Sequence, residues 1–220
     1  MLASVRRLIL PCGLLVAAAA SAGCSSEGMK YMAYLLFGSQ DQEVKAEFDG
    51  LSGKTVAVVV YTDQRTQYEY PDLNLTLSSA ICGRLKDNVK KIKLIPAARV
   101  VHYQDQNIYW PEMDKTELGK ALGADYVLYV PLEEFATRVP DSSYLYRGRA
   151  TCESSVYDVS KPPREARVYK SNDKIRVIYP EHEPDGTVNG NDRQIREETE
   201  ARFAERVAWK FYKHREKPAE

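Results

Sequence analysis

The sequence predicts an α/β fold: a single layered domain with a mixed β-sheet flanked by helices, ending in an amphipathic C-terminal helix. Three observations predict it. Val56-Ala57-Val58-Val59-Val60 is an unbroken apolar run rich in β-branched residues. Such a run marks a central strand buried on both faces, with helices above and below it. Leu73, Leu77, Ala80, Ile81, Leu85 and Val89 recur at intervals of three and four, which is the stripe of an amphipathic helix. Ile195, Phe203, Val207 and Phe211 lie at multiples of four with Ala204 and Ala208 beside them, and Arg and Glu fill the other face.

The elements follow in order. Lys54 to Tyr61 is the central strand, and Thr62 to Pro71 reads as a loop. The Leu73–Val89 helix ends in Lys90-Lys91, cations that suit the negative end of its dipole. Ile92 to Ile95 is a short strand, and Pro96 opens a helical stretch through Val100, Val101 and Tyr103. Asp114-Lys115-Thr116-Glu117 reads as a capping box for a helix over Lys115 to Leu122, closed by Gly123. Tyr126 to Leu132 is a strongly apolar strand continuing to Phe135, and Pro140-Asp141 turns the chain. Tyr144 to Asp158 reads as one long strand. Ala166 to Lys170 and Lys174 to Tyr179 read as two strands joined by a hairpin turn at Ser171-Asn172-Asp173. Glu181 to Asn191 is a polar loop before the last helix. That helix is expected to pack on the sheet.

The amino terminus carries a different message. Met1 to Arg7 is short and basic, and Leu8 to Ala20 is apolar but too short to span a bilayer comfortably. Ser21-Ala22-Gly23-Cys24 follows, small residues ending in a thiol. This reads as an export signal with a lipidation site at Cys24, although Ser21 stands where leucine is commoner; the alternative is a plain secretory peptide cut after an alanine. Acyl chains on Cys24 would give stable membrane anchoring. Ser25, rather than aspartate, follows the anchor; by resemblance to enteric sorting this favours the outer membrane, facing the periplasm. The expected division is 1–23 signal, 24–53 lipidated cysteine, tether and arm, 54–213 α/β domain, and 214–220 polar tail. Met29 to Phe37 is the apolar part of the arm.

Charge narrows the function further. The whole chain has 31 basic and 31 acidic residues; Arg6 and Arg7 leave with the signal, so 29 basic residues face 31 acidic ones. That balance argues against nucleic acid as a partner. The 15 tyrosines against 5 phenylalanines suit half-buried strands and wet interfaces alike.

Three segments carry a resemblance. Lys54-Thr55-Val56-Ala57-Val58 starts a buried strand. The stretch Glu117-Leu118-Gly119-Lys120-Ala121-Leu122-Gly123-Ala124-Asp125-Tyr126-Val127-Leu128 runs a helix into a strand. Tyr146-Arg147-Gly148-Arg149-Ala150 leads to Val156-Tyr157-Asp158. The pattern resembles the α/β domain shared by the TolB amino-terminal domain, the curli-secretion lipoprotein and the lipoprotein activators of penicillin-binding proteins. It covers roughly residues 54–158. It is a fold signature, since Gly123 closes a helix and Tyr126 opens a strand. The resemblance implies an assembly or adaptor module that binds proteins at the cell envelope.

No catalytic spacing accompanies it. His102, His182 and His214 lie far apart, with no metal-ligand spacing and no phosphate loop, nucleophile elbow or zinc motif. No enzyme activity, metal or cofactor is expected. The candidate contact residues are Asp63, Arg65, Tyr68 and Tyr70, in a loop following the central strand, and Tyr109 with Trp110 as aromatic anchors. Against this stands a plain solvated loop with its tyrosines packed inward. Glu181-His182-Glu183-Pro184-Asp185-Gly186 could bind a cation, but a polar turn explains it better. Cys82 and Cys152 could pair in an oxidising compartment or stay as buried thiols. The expected function is thus a membrane-anchored, non-enzymatic adaptor with an envelope protein partner. The alternatives are a homo-oligomeric scaffold and a glycan or small-ligand binder.

Overall fold

The computed structural model describes residues 42–182, 186–188 and 191–216, so the signal, Cys24 and the 29–37 arm lie outside the described residues. In chain order the elements are β1 (Gln42–Val44), β2 (Thr55–Tyr61), α1 (Gln64–Glu69), α2 (Leu73–Asn88), β3 (Lys93–Leu94), α3 (Ala97–Gln106) and α4 (Lys115–Leu122). There follow β4 (Tyr126–Arg138), β5 (Tyr146–Cys152), β6 (Ser155–Asp158), β7 (Arg167–Lys170), β8 (Ile175–Tyr179), α5 (Asp192–Trp209) and β9 (His214–Glu216). β1 and β9 pair in a two-stranded sheet of their own. The chain from Val44 to His214 forms one compact unit.

The main sheet of that unit is mixed, as the sequence predicts. β2 pairs in parallel with β3 on one side and with β4 on the other. β4 is long. Its first half pairs with β6 and its second half with β5, both antiparallel. β5 and β6 are therefore two stretches of one strand, interrupted at Glu153-Ser154. β8 pairs antiparallel with β5, and β7 pairs antiparallel with β6.

The pairing overturns one expectation. β7 and β8 do not form a hairpin: they run one after the other along the same neighbour. Ser171-Asn172-Asp173 has turn composition, but its backbone is tied sideways. The Ser171 amide donates to the Ser154 carbonyl at 2.8 Å and the Asn172 amide to Glu47 at 3.3 Å, which carries the chain onward. The β4–β5 register shifts between Leu132 and Glu134, and the ion pairs Lys174–Glu133 and Lys170–Glu153 (2.6 Å each) sit beside it.

Both faces of β2 are buried, as its apolar run requires. Val56, Val58 and Val60 pack with Leu128 and Val130 under α2 and α5, against Leu77, Ile81, Phe203 and Val207. Ala57, Val59 and Val127 meet Val100, Leu118, Leu122 and Trp110 on the other face. Each such buried aliphatic side chain contributes about 1.5–3 kcal/mol. α4 spans the expected residues. Asp114 caps it through the Thr116 amide, and Gly123 ends it at φ 76°. Asp125 does more than fit a turn: its carboxylate accepts from the Thr55 amide at 2.8 Å, joining the start of β4 to the start of β2.

Three differences lie at the margins. The loop after β2 contains the short helix α1, which buries no residue and so leaves no apolar periodicity to read. The core begins before Lys54: Leu51 is fully buried, and Phe48 packs on Tyr126 and Tyr169. At the other end, His214 stacks on Trp209 and begins β9.

Candidate functional site

The parallel strands have two ends, and the surface differs between them. At the amino end the chain enters the domain. The Glu47 and Phe48 amides donate to the Lys210 carbonyl at 2.9 and 3.0 Å, fastening this segment to the end of α5. Phe48 covers Tyr126, the first residue of β4.

The carboxyl end is built from connections. β2 leads into α1, β4 leads into the hairpin tip at residues 139–145, and the end of α3 reaches in through the Gln104 amide, which donates to the Val60 carbonyl at 3.0 Å. The connection from α3 to α4 and the start of α5 lie there too; Asp192 accepts from Thr137 at 2.7 Å. The order β3–β2–β4 places β2 between its two successors, so its carboxyl end is the switch point where α/β sheets present sites.

Asp63 and Arg65 both stand here and are exposed. The Asp63 carboxylate is engaged in the fold: it caps α1 by accepting from the Thr66 amide at 2.7 Å. That bond and the Thr66 hydroxyl hold its carboxyl below the ordinary value. Tyr68 and Tyr70 do not stack side by side. Tyr68 is 92% exposed and Tyr70 only 5%. The Tyr70 ring meets Phe135 edge-on at 4.9 Å, and its hydroxyl lies 3.1 Å from both Glu69 and Thr137. The Arg196 guanidinium lies over the ring, 5.5 Å from its centre.

Tyr109 and Trp110 also part ways. Trp110 is a core residue, 5% exposed, meeting Tyr61 edge-on at 5.8 Å. Tyr109 is 71% exposed and its neighbour Ile108 75%. Ile108, Tyr144 and Val188 were not singled out in the sequence; a lone apolar residue in a polar loop carries no periodic signal. Tyr68, Leu75, Ile108, Tyr109, Tyr144 and Val188, most of the large apolar side chains left exposed among the described residues, all belong to connections at the carboxyl end or to the first turn of α2.

A cleft of about 390 Å³ lies between α1 and the second half of β4, lined by Asp63, Arg65, Glu69, Glu134, Arg138 and Arg149. Two of its guanidiniums are paired: Arg149 with Glu134 of the cleft at 2.6 Å, and Arg138 with Asp192 outside it at 3.3 Å. His102 and His182 are exposed, and among the described residues no serine or carboxylate is hydrogen-bonded to either. No group of three His, Cys, Asp or Glu side chains converges among the described residues in a way that could hold a metal. No described helix is long and apolar enough to cross a membrane.

Cys82 and Cys152 are free thiols. Cys82 faces Ile92 and Leu94 beside the β3 edge, whereas Cys152 is on β5, beyond β2 and β4. At about 4.8 Å per strand that separation exceeds disulfide reach. Burial pushes the Cys82 thiol up to about 11 and raises Cys152 further still.

No protein-family model matches the chain, and no curated protein matches it. Solved structures do overlap it. A single-residue variant of the PelC dodecamer from Paraburkholderia phytofirmans shares 15% identity, covers 77% of this chain and 96% of that one, and gives a TM-score of 0.44. Lipoprotein GNA1162 from Neisseria meningitidis shares 16% identity over 64% of this chain and 89% of that one, with a TM-score of 0.41. At these values the functional reading rests on this chain's own residues.

Proposed function

We propose that this chain is a lipid-anchored bacterial envelope protein, and that its α/β domain is a non-enzymatic adaptor that binds another envelope protein through the carboxyl end of its parallel strands. One observation carries the binding surface: exposed tyrosines and aliphatic side chains gather at that end, opposite the end where the chain enters from its amino terminus. Single exposed apolar residues are ordinary, but their concentration at one end supports a contact surface there. Exposed Tyr68 and Tyr109 are side chains that bury well against a partner.

The anchor supports the location. Arg6 and Arg7, the apolar stretch to Ala20 and the Ala22-Gly23-Cys24 junction read as an export and lipidation signal, with the outer membrane favoured by Ser25. An anchored domain meets neighbours at a raised effective concentration, so even a modest contact suffices. The likeness of Glu117–Leu128 to envelope assembly lipoproteins points the same way.

The test uses the full-length chain in its membrane. Tyr68→Ser, Ile108→Ser and Tyr109→Ser are combined, and proteins crosslinked to wild type and variant are compared. The proposal expects a specific envelope protein to be crosslinked to wild type and lost from the variant, whose melting temperature is unchanged. An unchanged set of crosslinked proteins counts against this surface. Adducts with copies of the same chain alone would replace the adaptor with a homo-oligomer.

A further inference from the structure

Lysines gather at the amino end of the parallel strands. Lys54 precedes β2. Lys90 and Lys91 lie in the turn from α2, and Lys93 begins β3. Lys120 stands in the last turn of α4, which leads into β4. Lys161 follows β6, which runs antiparallel to β4 and so ends beside the start of β4. All six are exposed. The Gly53 amide donates to the Lys90 carbonyl at 3.3 Å and the Lys93 amide to the Lys54 carbonyl at 2.8 Å, which brings the lysines around β3 to the start of β2. Lys54 and Lys120 line one recess of about 320 Å³ with Asp125, Asp158 and Ser160.

The acids described at this end are Asp49, Asp87, Asp125, Asp158 and Glu165. Two of them are turned onto backbone amides: Asp125 accepts from Thr55 at 2.8 Å and Asp158 from Ser160 at 3.0 Å. Lys90 and Lys120 complement the negative ends of α2 and α4. That role does not extend to Lys54, Lys93 and Lys161, which belong to no helix. Lys91 has φ 57°, a left-handed backbone that glycine adopts at less cost. This is also the end at which Glu47 and Phe48 are fastened, where the chain comes in from its amino terminus.

We infer that the amino end of the parallel strands faces the membrane that holds the anchor, and that its lysines contact anionic phospholipid headgroups. Ammonium groups close to such a surface are attracted by its negative potential, and the attraction fades within a Debye length. A lipid anchor and a basic patch reinforce each other, because each keeps the other near the bilayer. With this end on the membrane, the carboxyl end points away from it, toward other envelope proteins. The inference rests on the anchor of the proposed function and not on the partner surface.

The test uses the purified full-length chain, reconstituted through its anchor into vesicles of phosphatidylcholine alone or with about one third phosphatidylglycerol. A membrane-impermeant amine reagent is added, and labelling at each lysine is read by peptide mass spectrometry. In the anionic vesicles Lys54, Lys90, Lys91, Lys93, Lys120 and Lys161 are expected to label about threefold more slowly than in the neutral ones. Exposed Lys174, on the antiparallel half of the sheet, should label alike in both. The protection should vanish in about 1 M salt, where the Debye length is about 3 Å. Equal labelling of the six lysines in the two kinds of vesicle overturns the proposal. So does equal protection of Lys174, or protection that persists in high salt, because neither would come from headgroup charge meeting this end. Intact mass of the same sample separates this failure from that of the anchor. A chain without acyl mass on Cys24 removes the anchor and this proposal with it, whereas an acylated chain with equal labelling removes this proposal alone.

Discussion

The Glu47 carboxylate lies 2.5 Å from the Lys210 ammonium, joining the segment that enters the domain to the end of its last helix. The same carboxylate accepts from the Tyr169 hydroxyl at 2.8 Å and the Asn172 amide at 3.3 Å. One side chain thus ties together the entry segment, the bend between β7 and β8, and α5. Burial alone would raise the Glu47 carboxyl, but these bonds and the Lys210 charge outweigh it and hold it below its ordinary value.

A pH dependence follows from that direction. A carboxyl lowered in the folded state contributes stability that is full above its unfolded value and fades as pH falls through its folded one. Glu47→Gln is expected to cost on the order of 2 kcal/mol at pH 7, the scale of hydrogen bonds to a charged group. The difference should shrink as pH falls below the ordinary carboxylate value and close only once pH has passed below the lowered folded one. Denaturant unfolding at pH 7 and across that acid range measures it.

Gly148 is required by the approach of α5 to the sheet. A Cβ built there would lie 1.7 Å from the Thr199 hydroxyl oxygen, which itself bonds the Ile195 carbonyl. Gly148→Ala should therefore destabilise by roughly 1–3 kcal/mol through overpacking. Thr199→Ala in the same chain should recover part of the loss, and a double-mutant cycle on unfolding free energies reads the coupling.

The two thiols give a chemical check on the sheet order. Cys82 is half-buried on α2 and Cys152 fully buried on β5, both with raised pKa values. An alkylating reagent should modify Cys82 slowly in the native protein and Cys152 only after unfolding. The mass of the unreduced chain should show both thiols present.

Much of this architecture was legible because its helices and central strands are patterned by burial. β2 and α4 follow the expected residues closely, since an unbroken β-branched run and a cap-to-glycine helix each leave a local signature. The second half of the sheet was not legible. Whether Ser171-Asn172-Asp173 reverses the chain depends on bonds to Ser154 and Glu47, which are remote in sequence. The contact residues divided for a similar reason. Tyr68 and Tyr70 are two positions apart, yet α1 and its C-cap turn one outward and one into the core. Nothing local separates Tyr109 from Trp110. Asp63 was legible as a polar loop residue, but its capping role needed the helix to be seen.

The proposed anchor has its own signature. The mature chain should begin at Cys24 and carry acyl mass on that residue, and Cys24→Ser should release the protein from membranes. Intact-mass measurement of the purified amino terminus reads both. An unmodified terminus at another residue would remove the anchor from the account.

The central claim is that an anchored domain binds its partner through the carboxyl end of the parallel strands. It is tested most directly by placing a photoreactive residue at Tyr109, and separately at exposed Lys90 near the amino end, in the full-length chain within living cells. The account predicts a discrete adduct with another envelope protein from position 109, none from position 90, and loss of the adduct when Cys24 is replaced by serine. Adducts from position 90 alone, or the same products from both positions, would contradict it.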